Sequence, residues 1–131
     1  MNFKNQISTS REQKVLSMKR KIYIILPISG RGMEDVESDC NSASAQIEKH
    51  GFKAVSPLEV SPDPEASYAE HIGRDITALL GCDAVLVLPG WVESKGCALE
   101  MEAARIYGKK ILTNYGMLDY YAKEVEDEQT R

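Results

Sequence analysis

Glu100 has unusual surroundings for a charged side chain. It lies within the run CALEMEAA, and no basic residue stands four positions before or after it, because Gly96 and Ala104 occupy those places. Glu102, by contrast, has Arg105 at helical spacing as an ion-pair partner. A carboxylate without a partner among apolar residues is a candidate nucleophile or general acid, and an ordinary glutamate on a helix surface is the alternative.

Asp75 and Tyr23 are the next candidates, and each also has a purely structural explanation. Asp75 falls on the apolar stripe of the helical pattern YAEHIGRDITALL, which directs its carboxylate toward the core. A simple pairing with Arg74 or His71 is the alternative. Tyr23 lies in the apolar run IYIIL, where a buried phenol needs a hydrogen-bond partner that either the backbone or a catalytic group can supply.

Two loops have the composition of ligand-binding segments. The loop Ser29-Gly30-Arg31-Gly32 could wrap an anion with backbone N–H groups and a guanidinium. Residues 89–96 combine Trp91 as an aromatic plate, Ser94 as a hydroxyl, Lys95 as a cation and the start of a helix at Gly96. Together these groups suit a base or a sugar that carries a phosphate. A capped helix beside a surface tryptophan is the alternative.

The distribution of apolar residues predicts the elements that position these side chains. Four segments predict strands: the continuous apolar run at residues 22–26, and the segments at 52–56, 83–88 and 109–113. Between them, apolar residues at helical spacing predict three helices, of which the second opens at Glu65 and the third runs from an N-cap at Ser94 to Tyr107. The first helix has a stripe formed by Val36, Cys40, Ala43 and Ile47.

Strands that alternate with helices predict an α/β fold, a flavodoxin- or Rossmann-like three-layer α/β/α arrangement around a parallel sheet of four to five strands. Ligands bind such sheets beyond the carboxyl ends of the strands, where the strand order reverses. If the first and third strands are neighbours, the loops after Pro27 and after Leu88 border one crevice. The candidate residues then meet at that crevice.

The length of the chain, 131 residues, fits one domain. Residues 1–19 are polar and without sustained periodicity, which predicts a flexible N-terminal arm, and residues 20–125 form the predicted domain. A final helix could follow Tyr115. The ending EVEDEQTR is too polar to pack, so residues 126–131 are expected to be a polar tail.

Composition narrows the classes of function. Apolar residues make up 43% of the chain and charged residues 27%, as in soluble globular proteins, and no apolar run approaches the ~20 residues that a bilayer requires. The net charge of −4 opposes a nucleic-acid partner. Three dispersed cysteines and two histidines form no metal motif and indicate buried thiols in a reducing cytoplasm. We therefore expect no metal, no nucleic acid and no membrane.

In combination, the segments KIYI-x-x-P-I-S-G, HIGRD and CDAVLVLPGWVESKGCALEMEAARIYGKKI resemble the nucleoside 2-deoxyribosyltransferase superfamily. The resemblance extends from Lys21 to Thr113 and is closest to a DUF4406-like branch of small bacterial and phage proteins that carry LPGW-x-x-S-x-G-x-x-x-E. It implies a cofactor-independent enzyme that cleaves or transfers the N-glycosidic bond of a small molecule, a 2′-deoxynucleoside or its 5′-monophosphate. It also implies a homo-oligomer, a dimer or higher.

The resemblance assigns roles to individual residues. Glu100, six residues after Ser94, matches the family's nucleophile. Asp75 matches the aspartate that protonates or positions the leaving base, and Tyr23 matches the tyrosine that hydrogen-bonds the nucleophile. Ser94 stands where members that prefer nucleosides carry an aspartate, which implies a preference for 5′-monophosphates, since a hydroxyl can donate to a phosphate that a carboxylate would repel.

Leu26 departs from the family pattern, which has a small residue, often glycine, at that place in the first strand. This departure favours the main alternative, a non-catalytic nucleotide-binding or sensing module with the same fold. A receiver domain is disfavoured because the first strand ends in Leu-Pro without an acidic pair. An NAD-cleaving domain that uses a single glutamate is a further alternative.

Overall fold

The computed structural model describes residues 19–130, so the predicted arm lies outside the described residues except for Lys19. The four predicted strands are present: β1 (Lys21–Ile25), β2 (Lys53–Val55), β3 (Ala84–Val87) and β4 (Lys110–Leu112). The helices are α1 (Met33–Lys49), α2 (Pro57–Val60), α3 (Tyr68–Leu80), α4 (Lys95–Ile106) and α5 (Gly116–Thr130), with a 3₁₀ turn at Trp91–Glu93. The predicted alternation of strands and helices is confirmed.

The four strands form one parallel sheet in the order β2-β1-β3-β4. As predicted, β1 and β3 are neighbours, with Tyr23 opposite Val85 and Ile25 opposite Val87. The chain leaves β1 toward β2 and later returns to the other side of β1 as β3. The strand order therefore reverses between β1 and β3, which places the loops after these two strands side by side at the carboxyl edge.

Helices cover both faces of the sheet, which confirms the three-layer α/β/α fold. One face packs against α1 and α5, and the predicted stripe of α1 is buried there in full: Val36, Cys40, Ala43 and Ile47. The other face packs against α3 and α4. The three cysteines are buried and free, as predicted. None of the helices between residues 19 and 130 is long and apolar enough to cross a membrane.

The segment between β2 and α3 differs from the prediction. The second long helix begins at Tyr68 rather than at Glu65, because the Ser67 hydroxyl accepts the N–H of Glu70 as an N-cap. Glu65 belongs to a turn in which its N–H donates to Asp63. The short helix α2 was not predicted: Pro57 does end the strand, but it also occupies the first turn of a helix capped by Ser56.

The carboxyl-terminal segment is more ordered than its polarity indicated. Helix α5 continues to Thr130. Its Val125 is only 8% exposed and packs into the core on the face of the sheet that α1 also covers. Glu128 forms an ion pair with Arg20 at 2.5 Å. Of the ending EVEDEQTR, Val125 does pack, one turn after the buried Leu118 and Tyr121 of the same helix, whereas residues 126–130 are all exposed. The polar tail at residues 126–131 stays a prediction.

Gly90, in the turn after β3, should be required for its backbone conformation. Its φ is +90°, and a Cβ there would lie 3.3 Å from the Pro27 side chain. Gly90→Ala should lower the free energy of unfolding by about 1–2 kcal/mol in urea denaturation. The matched control is Gly73→Ala, a helical position with open space around it, which should be stabilising by about 0.5–1 kcal/mol. Equal effects of the two substitutions would contradict this account of the turn.

Candidate active site

A cleft of about 1330 Å³ opens at the carboxyl edge of the sheet. The loops that follow β1 and β3 form one side, and α3 with the first turns of α4 forms the other. This is the crevice that the strand order predicted. Asp75 and Glu100 both line it, so the two candidate carboxylates face one space although 25 residues separate them in sequence.

Glu100 lies in α4 and is only 6% exposed. Its Oε2 atom is buried and has no hydrogen-bond partner among the described residues. Burial is the largest cause that raises the pKa of this carboxyl, to about 8, and the nearby charge of Asp75 adds to the rise. The Tyr23 hydroxyl offsets part of it. The ordinary surface glutamate of this helix is Glu102, which forms the expected ion pair with Arg105.

Asp75 lies on the inner side of α3 and is also 6% exposed. Neither predicted structural partner binds it, because Arg74 contacts Glu70 and Ser61 while His71 contacts Ser61. Its Oδ1 atom is buried without a partner in the described part of the chain. Burial raises the pKa of Asp75 to about 6, and the charge of His71 offsets part of the rise.

Tyr23 lies in the middle of β1, fully buried, on the face that α3 and α4 cover. Its hydroxyl meets the full geometry of a hydrogen bond with none of the described residues, although it lies near enough to Glu100 to lower the pKa of that carboxyl. Burial and the charges of Glu100 and Asp75 raise the pKa of this phenol, so it stays protonated and can only act as a donor or acceptor of a hydrogen bond. The phenol lies behind the cleft and is not part of its lining.

Gly96 brings α3 and α4 close enough for the two carboxylates to share the cleft. A Cβ at Gly96 would lie 3.3 Å from the Tyr68 hydroxyl and 3.4 Å from the Ile72 side chain, both on α3. The first distance is tighter than ordinary van der Waals contact, and the second lies at its limit. A larger residue at this position would have to displace the ends of these two side chains of α3.

Several predicted binding residues line the cleft, but they differ in whether their side chains already have hydrogen-bond or ion-pair partners. Ser94 caps α4, accepting the N–H of Cys97 at 3.2 Å, and Lys95 follows it without an ion-pair partner in residues 19–130. Ser29 lines the cleft, whereas Gly30 forms the turn behind it, at φ +79°. Arg31 lines the cleft but donates to Pro27 O at 2.9 Å and pairs with Asp39 at 2.6 Å, which neutralises much of its charge.

Trp91 does not line the cleft, and the prediction that it forms an aromatic plate there is wrong. The left-handed turn at Gly90 and the 3₁₀ turn after it direct the indole onto the α3 and α4 side of the core. Glu93, two residues later, lines the cleft instead. The sequence pattern does not reveal this, because the direction of the indole depends on the left-handed backbone conformation of Gly90.

The structure adds cleft residues that sequence reasoning missed. Tyr115 follows β4 and lines the cleft from the strand's carboxyl end, and its place directly after a predicted strand was the available signal. Tyr68 contributes a second aromatic side chain from the first turn of α3. His71 and Ser61 also line the cleft, held together by a hydrogen bond of 2.6 Å. Leu26 lines it as well and is 4% exposed.

Comparison with known sequences decides the family. Residues 20–113 match the family described as a domain of unknown function, DUF4406. The chain belongs to the DUF4406 family. This stretch contains every candidate residue considered above except Tyr115. No curated protein sequence matches this DUF4406 chain.

Solved structures with the same fold include two 2-deoxyribosyltransferases. The enzyme of the psychrotolerant bacterium Bacillus psychrosaccharolyticus is 23% identical, with a TM-score of 0.55 over 70% of this chain and 69% of that chain. The enzyme of Leishmania mexicana is 22% identical, with a TM-score of 0.55 over 72% of this chain and 63% of that chain. The DUF4406 chain thus spans less than two thirds of the Leishmania protein.

A third similar structure is the CMP N-glycosidase of Clostridium botulinum. It is 20% identical, with a TM-score of 0.51 over 70% of this chain and 68% of that chain. At such identities, the similarity of the three structures to this DUF4406 protein establishes a common fold.

The raised pKa of Glu100 predicts a specific dependence of stability on pH. Between the ordinary value of 4.5 and the raised value of about 8, the unfolded chain releases the carboxyl proton while the folded chain keeps it. Stability contributed by this group therefore falls as pH rises through that window. Glutamine has no proton to release. The free energy of unfolding of Glu100→Gln should therefore rise relative to that of the wild type as pH rises, by on the order of 3–5 kcal/mol at pH 8.

Urea denaturation of the two proteins between pH 5 and pH 9 measures this difference. Glu102→Gln is the matched control, since Glu102 lies exposed in the same helix. Its stability curve should run parallel to that of the wild type. A constant offset between Glu100→Gln and the wild type across this range would show that Glu100 ionises normally and contradict the buried, unpartnered carboxyl.

Proposed function

We propose that this DUF4406 protein is an enzyme that cleaves or transfers the N-glycosidic bond of 2′-deoxynucleosides or their 5′-monophosphates. Glu100 is the nucleophile, Asp75 assists the leaving base and Tyr23 orients Glu100. The substrate is a small molecule that enters the cleft at the carboxyl edge of the sheet, and no metal or cofactor takes part.

One observation carries this proposal. Among the described residues, three side-chain oxygens are buried without a hydrogen-bond partner, and they belong to Tyr23, Asp75 and Glu100. Native proteins satisfy most buried polar atoms, because each one left unpaired costs about 1–3 kcal/mol. These three atoms lie beside one cleft and belong to the three residues that were predicted from the sequence to be catalytic. This coincidence supports a site whose polar groups interact with a ligand.

The first step exchanges one bond to the sugar for another. The C1′–N bond breaks with its electron pair going to the base, and Glu100 forms a bond from a carboxylate oxygen to C1′. Positive charge develops on the sugar in the transition state, and a buried carboxylate stabilises it more strongly than one in water would. The departing base takes a proton, which Asp75 is placed to supply.

The second step reverses the first with a new partner. A second base, or water, attacks C1′, the bond to Glu100 breaks, and the carboxylate is regenerated. The incoming nucleophile gives up its proton as it attacks, and Asp75, now ionised, accepts it. Transfer and hydrolysis thus differ only in which nucleophile reaches the intermediate first.

Together, the two carboxyls hold the number of protons that this two-step reaction requires. Their pKa values of about 8 for Glu100 and about 6 for Asp75 mean that the pair carries about one proton near neutral pH. Cleavage needs one ionised carboxyl and one acid, which is the same count. Whichever carboxyl holds this proton in the free cleft, it has to lie on Asp75 or on the base before Glu100 attacks.

Some residues of the cleft favour a phosphate at the 5′ end of the substrate, and others oppose it. The Ser94 hydroxyl and the Lys95 ammonium can both donate to a 5′-phosphate at the start of α4. Arg31 is already paired with Asp39, and Glu93 adds a carboxylate to the same cleft. The proposal therefore includes the 5′-monophosphates and the unphosphorylated 2′-deoxynucleosides.

A non-catalytic nucleotide-binding module is the second candidate, and Leu26 favours it. This leucine is buried in the lining of the cleft and occupies space that a smaller residue would leave to a sugar. A binding module would retain a nucleotide without releasing free base, whereas the proposed enzyme releases it. Chromatography of each deoxynucleoside and deoxynucleotide after incubation with the protein separates the two.

Glu100→Gln should abolish release of free base while the fold is kept. The amide is similar in size but cannot form the bond to C1′, so we expect a loss of at least about 1,000-fold in turnover, or ~4 kcal/mol of transition-state stabilisation. Glu102→Gln, in the same helix but exposed, should retain the activity of the wild type. Undiminished turnover in Glu100→Gln would rule out this nucleophile.

Asp75→Asn should slow cleavage most for bases that leave poorly. A proton donor matters least when the leaving group departs easily, so the loss in kcat/KM should shrink as the acidity of the departing base increases. The measurement is kcat/KM of wild type and variant across a series of deoxynucleosides with substituted bases. A loss of the same size for every base would exclude proton donation by Asp75.

A further inference from the structure

A chain of hydrogen bonds links Arg74 and His71, both on α3, through Ser61, the residue that follows α2. Arg74 donates from Nη1 to the Ser61 hydroxyl oxygen at 3.2 Å, and this oxygen lies 2.6 Å from Nδ1 of His71. Ser61 is buried, and His71 is half-buried in the lining of the cleft. In contrast, Nε2 of His71 has no hydrogen-bond partner in residues 19–130.

The chemistry of the three groups fixes the direction of each hydrogen bond. A guanidinium has donors and no acceptor, so Ser61 accepts from Arg74. The hydroxyl proton of Ser61 then needs an acceptor, and Nδ1 of His71 is the one in reach. If Nδ1 carried a proton itself, the buried hydroxyl proton would be left unpaired, which is unfavourable. The proton of the neutral imidazole therefore sits on Nε2.

We propose that the Arg74–Ser61 relay holds His71 in the Nε2–H form, and that this N–H donates a hydrogen bond to the base of a bound nucleoside. The proposal rests on the proposed function for the identity of the ligand. It adds a substrate-contacting residue, His71, and two positioning residues, Ser61 and Arg74, that act through it.

The place of His71 on α3 supports contact with the base. It precedes Asp75 by four residues, so the two side chains leave the helix on the same side, one turn apart. Both line the cleft, and neither binds the other. Every nucleobase has ring nitrogens or carbonyl oxygens that accept hydrogen bonds. A donor next to Asp75 can hold such an atom while Asp75 exchanges a proton with the base.

The chain contains its own reference for the tautomer of His71. It has two histidines, and both ring nitrogens of His50 face oxygens that can only accept: Nδ1 lies 2.7 Å from the carbonyl oxygen of Gln46 and Nε2 lies 2.9 Å from a carboxylate oxygen of Asp119. His50 therefore serves as a histidine outside the cleft whose signals should not change, whereas Nδ1 of His71 faces a hydroxyl that donates to it. Long-range ¹H–¹⁵N spectra at mildly alkaline pH distinguish a protonated from an unprotonated ring nitrogen.

The free protein should give an unprotonated Nδ1 and a protonated Nε2 for His71. Ser61→Ala removes the partner of Nδ1 and should leave His71 as a mixture of both tautomers, with His50 unchanged. A protonated Nδ1 in His71 of the wild type would overturn the relay. So would a spectrum of Ser61→Ala that is identical to that of the wild type.

Contact with the base can be tested without turnover. Deoxynucleoside added to Glu100→Gln should shift the Nε2–H signal of His71 and leave that of His50 in place. Binding that shifts other cleft residues but not His71 would overturn the contact, and so would a lack of binding. Since this test uses a variant without a nucleophile, it stays valid if the wild type proves inactive.

Turnover supplies an independent comparison. His71→Leu should lower kcat/KM about tenfold, the effect of one lost hydrogen bond. His71→Gln keeps an N–H near the place of Nε2 and should recover most of that loss, whereas a purely structural role would not distinguish the amide in this way. If the wild type releases base and His71→Leu is as active as His71→Gln, the donor role of His71 is wrong while the proposed function stands. If the wild type releases no base, the proposed function fails and the spectra alone decide about His71.

Discussion

Two carboxyl groups buried without partners at the end of a parallel sheet are the constraint on which the rest of this structure depends. Asp75 and Glu100 are each nearly excluded from solvent, and the Tyr23 hydroxyl behind them is fully excluded. Such groups destabilise the folded state unless a ligand completes their interactions. The surrounding fold has to offset that cost and also keep the carboxyls from relaxing toward water.

The apolar core provides the stability, and close helix packing provides the rigidity. β1 and β3 are buried on both faces and pair in register up to the edge where the cleft begins. Gly96 lets the Tyr68 and Ile72 side chains of α3 lie directly against α4, and Asp75 and Glu100 line one cleft between these helices. Burial then raises both pKa values and leaves the pair with a proton to exchange. The buried carboxyls thus lower the stability of the fold locally, and in the proposed enzyme this is the location of the reaction.

Much of the fold and the centre of the site could be predicted because they depend on periodicity. The apolar runs gave the strands, and the helical stripes placed Asp75 and Glu100 on inner faces. Trp91 was misplaced because its direction depends on the left-handed turn at Gly90. The link between Ser61 and His71 could not be foreseen, since it requires α2, which begins at a proline that also ends a strand. The burial of Val125 was not foreseen either, because it depends on α5 continuing past Leu118 and Tyr121, which pack against the same face of the core.

The central claim is that Glu100 forms a covalent bond with the sugar, and trapping that bond tests it most directly. A 2′-fluorinated 2′-deoxynucleoside with a readily departing base slows both steps, because fluorine destabilises positive charge at C1′, so the intermediate should accumulate. Tryptic digestion and mass spectrometry should then find the fluorinated sugar on the peptide of residues 96–105, attached to Glu100 and not to Glu102. Release of base with this peptide unmodified, or with the sugar on another residue, would contradict the account.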